Sequence, residues 1–148
     1  MQFAHREKAF REAVKINNPT NQQPNKSTIQ QPHMSSVEDF NDFRARMNER
    51  ILGSDSKMIK RVYNLDTNTY KAGALDVKTK ELIGLAASMV LRCDDCVRYH
   101  IQSSIEAGAS EKELIETYEI SLLVGGTIVI PHLRRAYDFM DKILPQDE

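Results

Sequence analysis

Cysteine is scarce in this chain, basic runs are short, and no long apolar stretch is present. Each absence removes a class of function. The formal net charge is −1, and no basic run exceeds Lys60-Arg61 or Arg134-Arg135. Binding a phosphate backbone needs a concentrated basic surface, so no nucleic-acid partner is expected. The longest nearly uncharged apolar stretch, Ile120 to Ile130, is interrupted by Ser121, Gly125, Gly126 and Thr127. It has about half of the roughly 20 residues a spanning helix needs, so it reads as core and no membrane partner is expected. At the N-terminus His5, Arg6 and Glu7 stand where a secretory segment would be apolar, which predicts a reducing, cytoplasmic setting. In such a compartment a cysteine pair points to catalysis or metal binding rather than to a structural staple.

What is present describes one helical domain. The 148 residues suffice for a single domain with a real core, and 41% apolar with 28% charged residues is ordinary globular composition. Asn17 to Ser36 is dominated by Asn, Gln, Pro, Ser and Thr, too polar to offset its ordering entropy, so residues 17–35 are expected to be a flexible linker. Ahead of it, Phe3 to Ile16 has the spacing of a short amphipathic helix. The His33-Met34 junction makes residues 1–33 readable as a tag or targeting peptide, so 1–35 is treated as an N-terminal extension and 36–148 as the domain.

From Ser36 onward the periodicity is helical. Ser36 is expected to cap a helix with Val37, Phe40, Phe43, Met47 and Ile51 on one face, ended by Gly53. A weaker segment carries Met58, Val62 and Leu65, and Asp76 opens a third with Leu82, Leu85, Ala86 and Met89 inward. The fourth starts at the cysteines and carries Val97, Ile101 and Ile105 up to Gly108. Ser110 and Glu113 form a capping box for the fifth, and Pro131 suits the first turn of the last. Met47, Met58, Met89 and Met140 fall on apolar faces and are expected in the core. Only Thr127 to Ile130 is β-prone, so the fold class is all-α, a compact array of about six helices.

The chemistry gathers at Cys93-Asp94-Asp95-Cys96, which holds the only two cysteines. Two intervening residues are a spacing that a disulfide can close. A helix N-terminus presents unpaired N–H groups and partial positive charge, which favour thiolate. Cys96 is placed in the first turn, with His100 one turn later on the same face, able to take the thiol proton. Glu81, about three turns before Cys93 on the preceding helix, is the candidate to orient His100 or relay a proton. Asp94 and Asp95 work against thiolate formation unless they face solvent, with Arg92 and Arg98 as candidates to offset them.

Glu81, Cys93, Cys96 and His100 keep the spacing Glu-x11-Cys-x2-Cys-x3-His. In this the chain resembles the carboxymuconolactone decarboxylase-like superfamily, in its alkylhydroperoxidase D-like branch. Lys80-Glu81-Leu82-Ile83, Ala107-Gly108-Ala109-Ser110 and Gly125-Gly126 are similar too, so the likeness covers roughly residues 55–145. The resemblance implies a homo-oligomer, a trimer or hexamer, without a bound cofactor. It also implies that Cys96 attacks a hydroperoxide, Cys93 resolves the sulfenic acid into a Cys93–Cys96 disulfide, and His100 with Glu81 relays the proton. Lipoylated or thioredoxin-like partners would supply electrons. Relatives often carry a histidine between the cysteines, where this chain has Asp94 and Asp95.

Other readings of the same residues are a buried pair of small side chains, or a zinc site of Cys93, Cys96, His100 and His132. A non-catalytic binding or assembly protein is the alternative from another class. His132 standing alone reads as a first-turn residue without chemistry. Gly125-Gly126 lacks the Gly-Lys-Ser/Thr of a phosphate loop and reads as close helix packing.

Overall fold

The computed structural model describes residues 36–144. The expected helix over Phe3–Ile16, the linker and the junction at Met34 lie outside the described residues. Six α-helices follow one another: α1 Val37–Leu52, α2 Lys57–Thr69, α3 Val77–Val90, α4 Asp94–Glu106, α5 Glu111–Gly125 and α6 Ile130–Ile143. A single 3₁₀ turn, Thr127–Val129, leads into α6. Among the described residues there is no strand, so the all-α class is correct. The β-prone Thr127–Ile130 piece becomes that 3₁₀ turn and the start of α6.

Two units are distinguished along the chain, one ending at Thr67 and the other starting at Asn68. In the first, the Ser36 hydroxyl accepts the Asp39 N–H at 3.0 Å, as a helix cap should. Gly53 ends α1, its N–H donating to Glu49 O at 2.9 Å. The Tyr63 hydroxyl donates to Asn48 Oδ1 at 3.0 Å and ties α2 to α1. Met58 corrects the expectation of a core residue: it is 64% exposed, together with Val62 and Leu65. The three positions do form one helical stripe, but that stripe faces outward.

The second unit holds the core of the candidate site. Leu85 and Met89 of α3, Val97 and Ile101 of α4, Leu114 and Tyr118 of α5, and Ala136 and Met140 of α6 are all buried. Helix α3 packs on both α4 and α5, and α4 packs also on α6. The capping box of α5 forms as expected, and Lys78 Nζ bonds Glu113 at 2.7 Å. That Lys78 bond and the Ser110 bonds pull the Glu113 carboxyl down to about 2, so the box stays charged at neutral pH.

Two glycines let helices approach closely. A Cβ on Gly125 would run into Val129 and come within 3.5 Å of Val90 Cγ2, so α5 lies against α3 at backbone range. Gly126, at φ 73°, turns the chain into the 3₁₀ segment in a conformation open to glycine. On the outside of this unit, Ile83, Leu91, Ile120, Leu123, Val124 and Ile128 remain exposed.

Candidate redox site

The junction between α3 and α4 is one tight turn. The Arg92 N–H donates to Met89 O at 3.1 Å and the Cys93 N–H to Ser88 O at 3.0 Å. Those two bonds make a Schellman motif, with Arg92 in the left-handed position at φ 60°. The α4–α5 junction repeats the pattern, but there Gly108 holds the left-handed position at φ 86°. An L-residue costs about 1 kcal/mol more than glycine in that conformation. Cys93 closes α3 and is also the N-cap of α4, its sulfur accepting the Cys96 N–H at 3.4 Å.

Cys93 and Cys96 are joined by a disulfide, with their Cα atoms 5.2 Å apart. Cys96 lies in the first turn of α4, where unpaired N–H groups point outward. His100 follows one turn later, buried at 8% exposure, on the stripe shared with Val97, Ile101 and Ser104. Its Nδ1 stands 2.9 Å from Glu81 Oε2, and Glu81 is fully buried on α3. A carboxylate in apolar surroundings is costly unless compensated, and the imidazole supplies compensation here. A proton on Nδ1, donated to Glu81, leaves Nε2 as the acceptor nitrogen of the ring.

Two residues of this environment belong to no motif in the sequence. Tyr70 stacks on His100 with ring centroids 5.4 Å apart. It is held by its neighbours, because Lys80 Nζ donates to the carbonyls of Thr69 at 2.8 Å and Lys71 at 2.6 Å. Gly84 is the second. A Cβ there would sit 2.6 Å from both Tyr70 Oη and His100 Cε1, and 2.9 Å from His100 Nδ1. The phenol oxygen and the imidazole therefore meet over the bare face of α3, at no more than twice 2.6 Å from each other. A glycine inside a helix costs about 1 kcal/mol against alanine, and that penalty was the available clue to a close approach.

The two aspartates part company. Asp94 reaches across to α6, where His132 Nδ1 lies 2.7 Å from Oδ1 and Arg135 Nε lies 2.9 Å from Oδ2. Partial burial pushes the Asp94 carboxyl up, but the His132 and Arg135 hydrogen bonds outweigh it and hold it below the ordinary range. Asp95 is exposed, with Arg98 Nη1 4.0 Å away. The expected counter-charge of Arg92 is thus corrected: Arg92 is exposed and serves the turn, while α6 neutralises Asp94. His132 lies in the first turn of α6 as expected, and there it is hydrogen-bonded to Asp94. Among the described residues, no three His, Cys, Asp or Glu side chains come together in a way that could hold a metal ion. None of the helices described is long and apolar enough to cross a membrane.

Residues 57–138, more than half of the chain, match the profile of the Carboxymuconolactone decarboxylase family. Two crystal structures of a Thermotoga maritima protein align with TM-scores of 0.71 and 0.68 at 50% and 51% identity. They cover 72% and 70% of this chain, and 94% and 88% of theirs. For that protein, a member of the same family, a part in antioxidative response has been suggested. The apo form of a family member from Legionella pneumophila aligns with a TM-score of 0.50 at 29% identity, over 72% of this chain and 85% of its own. An uncharacterised protein of the cox locus of Paracoccus denitrificans is 28% identical over 71 residues, 48% of this chain and 64% of the relative. One from Cupriavidus necator is 30% identical over 71 residues, 48% of this chain and 63% of the relative. The chain thus spans less than two thirds of the length of these curated relatives.

Proposed function

This chain belongs to the carboxymuconolactone decarboxylase family, and from that premise we propose that it is a thiol–disulfide oxidoreductase of the alkylhydroperoxidase-like kind. The observation that carries the reading is the Cys93–Cys96 bond on the turn into α4, with Cys96 one turn before a buried imidazole that is paired with Glu81. Cys96 is the attacking sulfur. His100 takes its proton, and the thiolate attacks the distal oxygen of a hydroperoxide. The O–O bond breaks, an alcohol leaves with a proton, and Cys96 becomes a sulfenic acid. The Cys93 thiolate then attacks the Cys96 sulfur, the S–S bond forms, and water leaves. Two electrons have passed from the two sulfurs to the peroxide. A lipoylated or thioredoxin-like dithiol returns them by exchange through a mixed disulfide.

The test follows the sulfur. Reduced protein is mixed with an alkyl hydroperoxide, then sampled for intact mass and free thiols. Loss of two hydrogens and of both thiols, faster than in urea-unfolded protein, is expected. Catalytic consumption should follow when dihydrolipoamide is added. Thiols that oxidise no faster in the folded chain than in the unfolded one would defeat the reading.

Assembly is proposed on separate grounds. Ile83 on α3 and Leu91 just past its end, Leu123 and Val124 on α5, and Ile128 beyond it leave much apolar surface on the outside of the second unit. Large apolar side chains left this exposed are what a protein–protein contact would cover. We propose that a second copy of this chain covers it, in a trimer or hexamer. Sedimentation at micromolar concentration should give a mass several times that of the chain, and Leu123→Glu should lower it. A monomer under those conditions would remove the assembly.

A further inference from the structure

The first of the two positions between the cysteines is occupied by a carboxylate that the proposed chemistry does not use. Asp94 opens α4, in the turn that carries both sulfurs. Left uncompensated, its charge would oppose thiolate formation beside it. It is compensated from another helix. His132 and Arg135 lie three residues apart on α6, hence on one face, and each takes one oxygen of the carboxylate, at 2.7 and 2.9 Å. The ion pair with Arg135 offsets the carboxylate charge, and the hydrogen bond with His132 stabilises that carboxylate further. The charges acting on Asp94 are those of Arg135 and His132. Asp95 on the next position of α4 is shared with Arg98.

We infer that His132 is a positioning residue of the redox pair, which acts through Asp94 and together with Arg135 to set the balance between dithiol and disulfide. The inference rests on the reading that Cys93 and Cys96 cycle. The physical logic concerns the reduced state. A thiolate exists only in the dithiol form, so a charge that stabilises the thiolate favours reduction, and one that opposes it favours the disulfide. Cancelling Asp94 therefore makes the pair easier to reduce. An imidazole 38 positions away is thereby coupled, through Asp94, to the turn that carries the cysteines.

Equilibration of the full chain with glutathione redox buffers at neutral pH measures this directly. Two glutathione thiols reduce the disulfide, two electrons pass to Cys93 and Cys96, and glutathione disulfide is formed. Two protons go to the protein sulfurs, or one goes to solvent where one sulfur stays ionised. His132→Ala should shift the equilibrium toward disulfide by about tenfold, equal to about 30 mV for a two-electron couple. Asp94→Asn should shift it the other way. Because His132 acts through Asp94, the double variant should match Asp94→Asn alone. His132→Asn, which keeps a donor to the carboxylate, should recover part of the loss. Should His132→Ala fail to fold, Arg135→Gln, at a more exposed position on the same carboxylate, should show the same shift toward disulfide.

An unshifted equilibrium in His132→Ala or in its substitute overturns the inference. So does a shift that persists undiminished in the Asp94→Asn background. A wild-type protein that never exchanges with glutathione would instead sink the thiol–disulfide reading itself, so the two failures are told apart.

Discussion

Cys96→Ser is expected to slow hydroperoxide consumption by at least about 10³-fold, the scale on which removal of an activated nucleophile acts. A serine hydroxyl in the first turn of α4 does not ionise near neutrality, whatever the helix terminus and His100 offer it. Cys93→Ser is expected to behave differently. It should complete one attack and stop, carrying one added oxygen on Cys96, because no second thiol is there to release water. Intact mass after a single addition of peroxide separates the two variants. The reverse pattern would transfer the attack to Cys93. Its structural basis would be that the Cys93 sulfur accepts the Cys96 N–H at 3.4 Å, a donor from which a thiolate there would gain.

Gly84→Ala is expected to destabilise the fold by about 1–3 kcal/mol, the usual cost of forcing a methyl group into a filled site. Helix propensity alone gives the opposite sign, a gain of about 1 kcal/mol for replacing glycine in a helix interior. Steric overlap wins because the new carbon would lie 2.6 Å from Tyr70 Oη and His100 Cε1. Neither can yield easily. The imidazole is tethered to Glu81 at 2.9 Å, and the tyrosine backbone is flanked by the two carbonyls that Lys80 holds. Relief must come from moving the ring, and a displacement of about 1 Å at a catalytic group costs on the order of 10²-fold in rate. Urea unfolding reads the stability and peroxide consumption the activity. A stabilised, fully active alanine variant would mean that His100 and Tyr70 do not meet over α3.

Much of this architecture follows from local rules, and those parts were legible in the sequence. Ser36, Asp76 and the Ser110–Glu113 box cap helices because a side-chain oxygen three residues from a free N–H needs no tertiary context. The spacing of Glu81, Cys93, Cys96 and His100 likewise survives as geometry: His100 meets Glu81, and the sulfurs meet each other. What was not legible depends on the packing of distant segments. Tyr70 sits in a turn-rich stretch without periodicity, and nothing there announces that Lys80 holds its neighbours. The Asp94–His132 bond spans 38 residues and depends on how α6 lies against α4. Met58 misled because a helical apolar stripe states only that a surface is apolar, not that anything covers it.

The shared residue between α3 and α4 has a consequence for how this chain can change length. Cys93 ends one helix and begins the next, so no spare loop exists there to absorb an extra amino acid. One inserted residue inside α4 ahead of His100 would swing the ring by about 100° around the axis, a full face away from Glu81. Insertions and deletions should therefore be tolerated at the exposed Asp55 and at the exposed Ala72–Gly73 segment and be lethal to activity anywhere between Glu81 and His100.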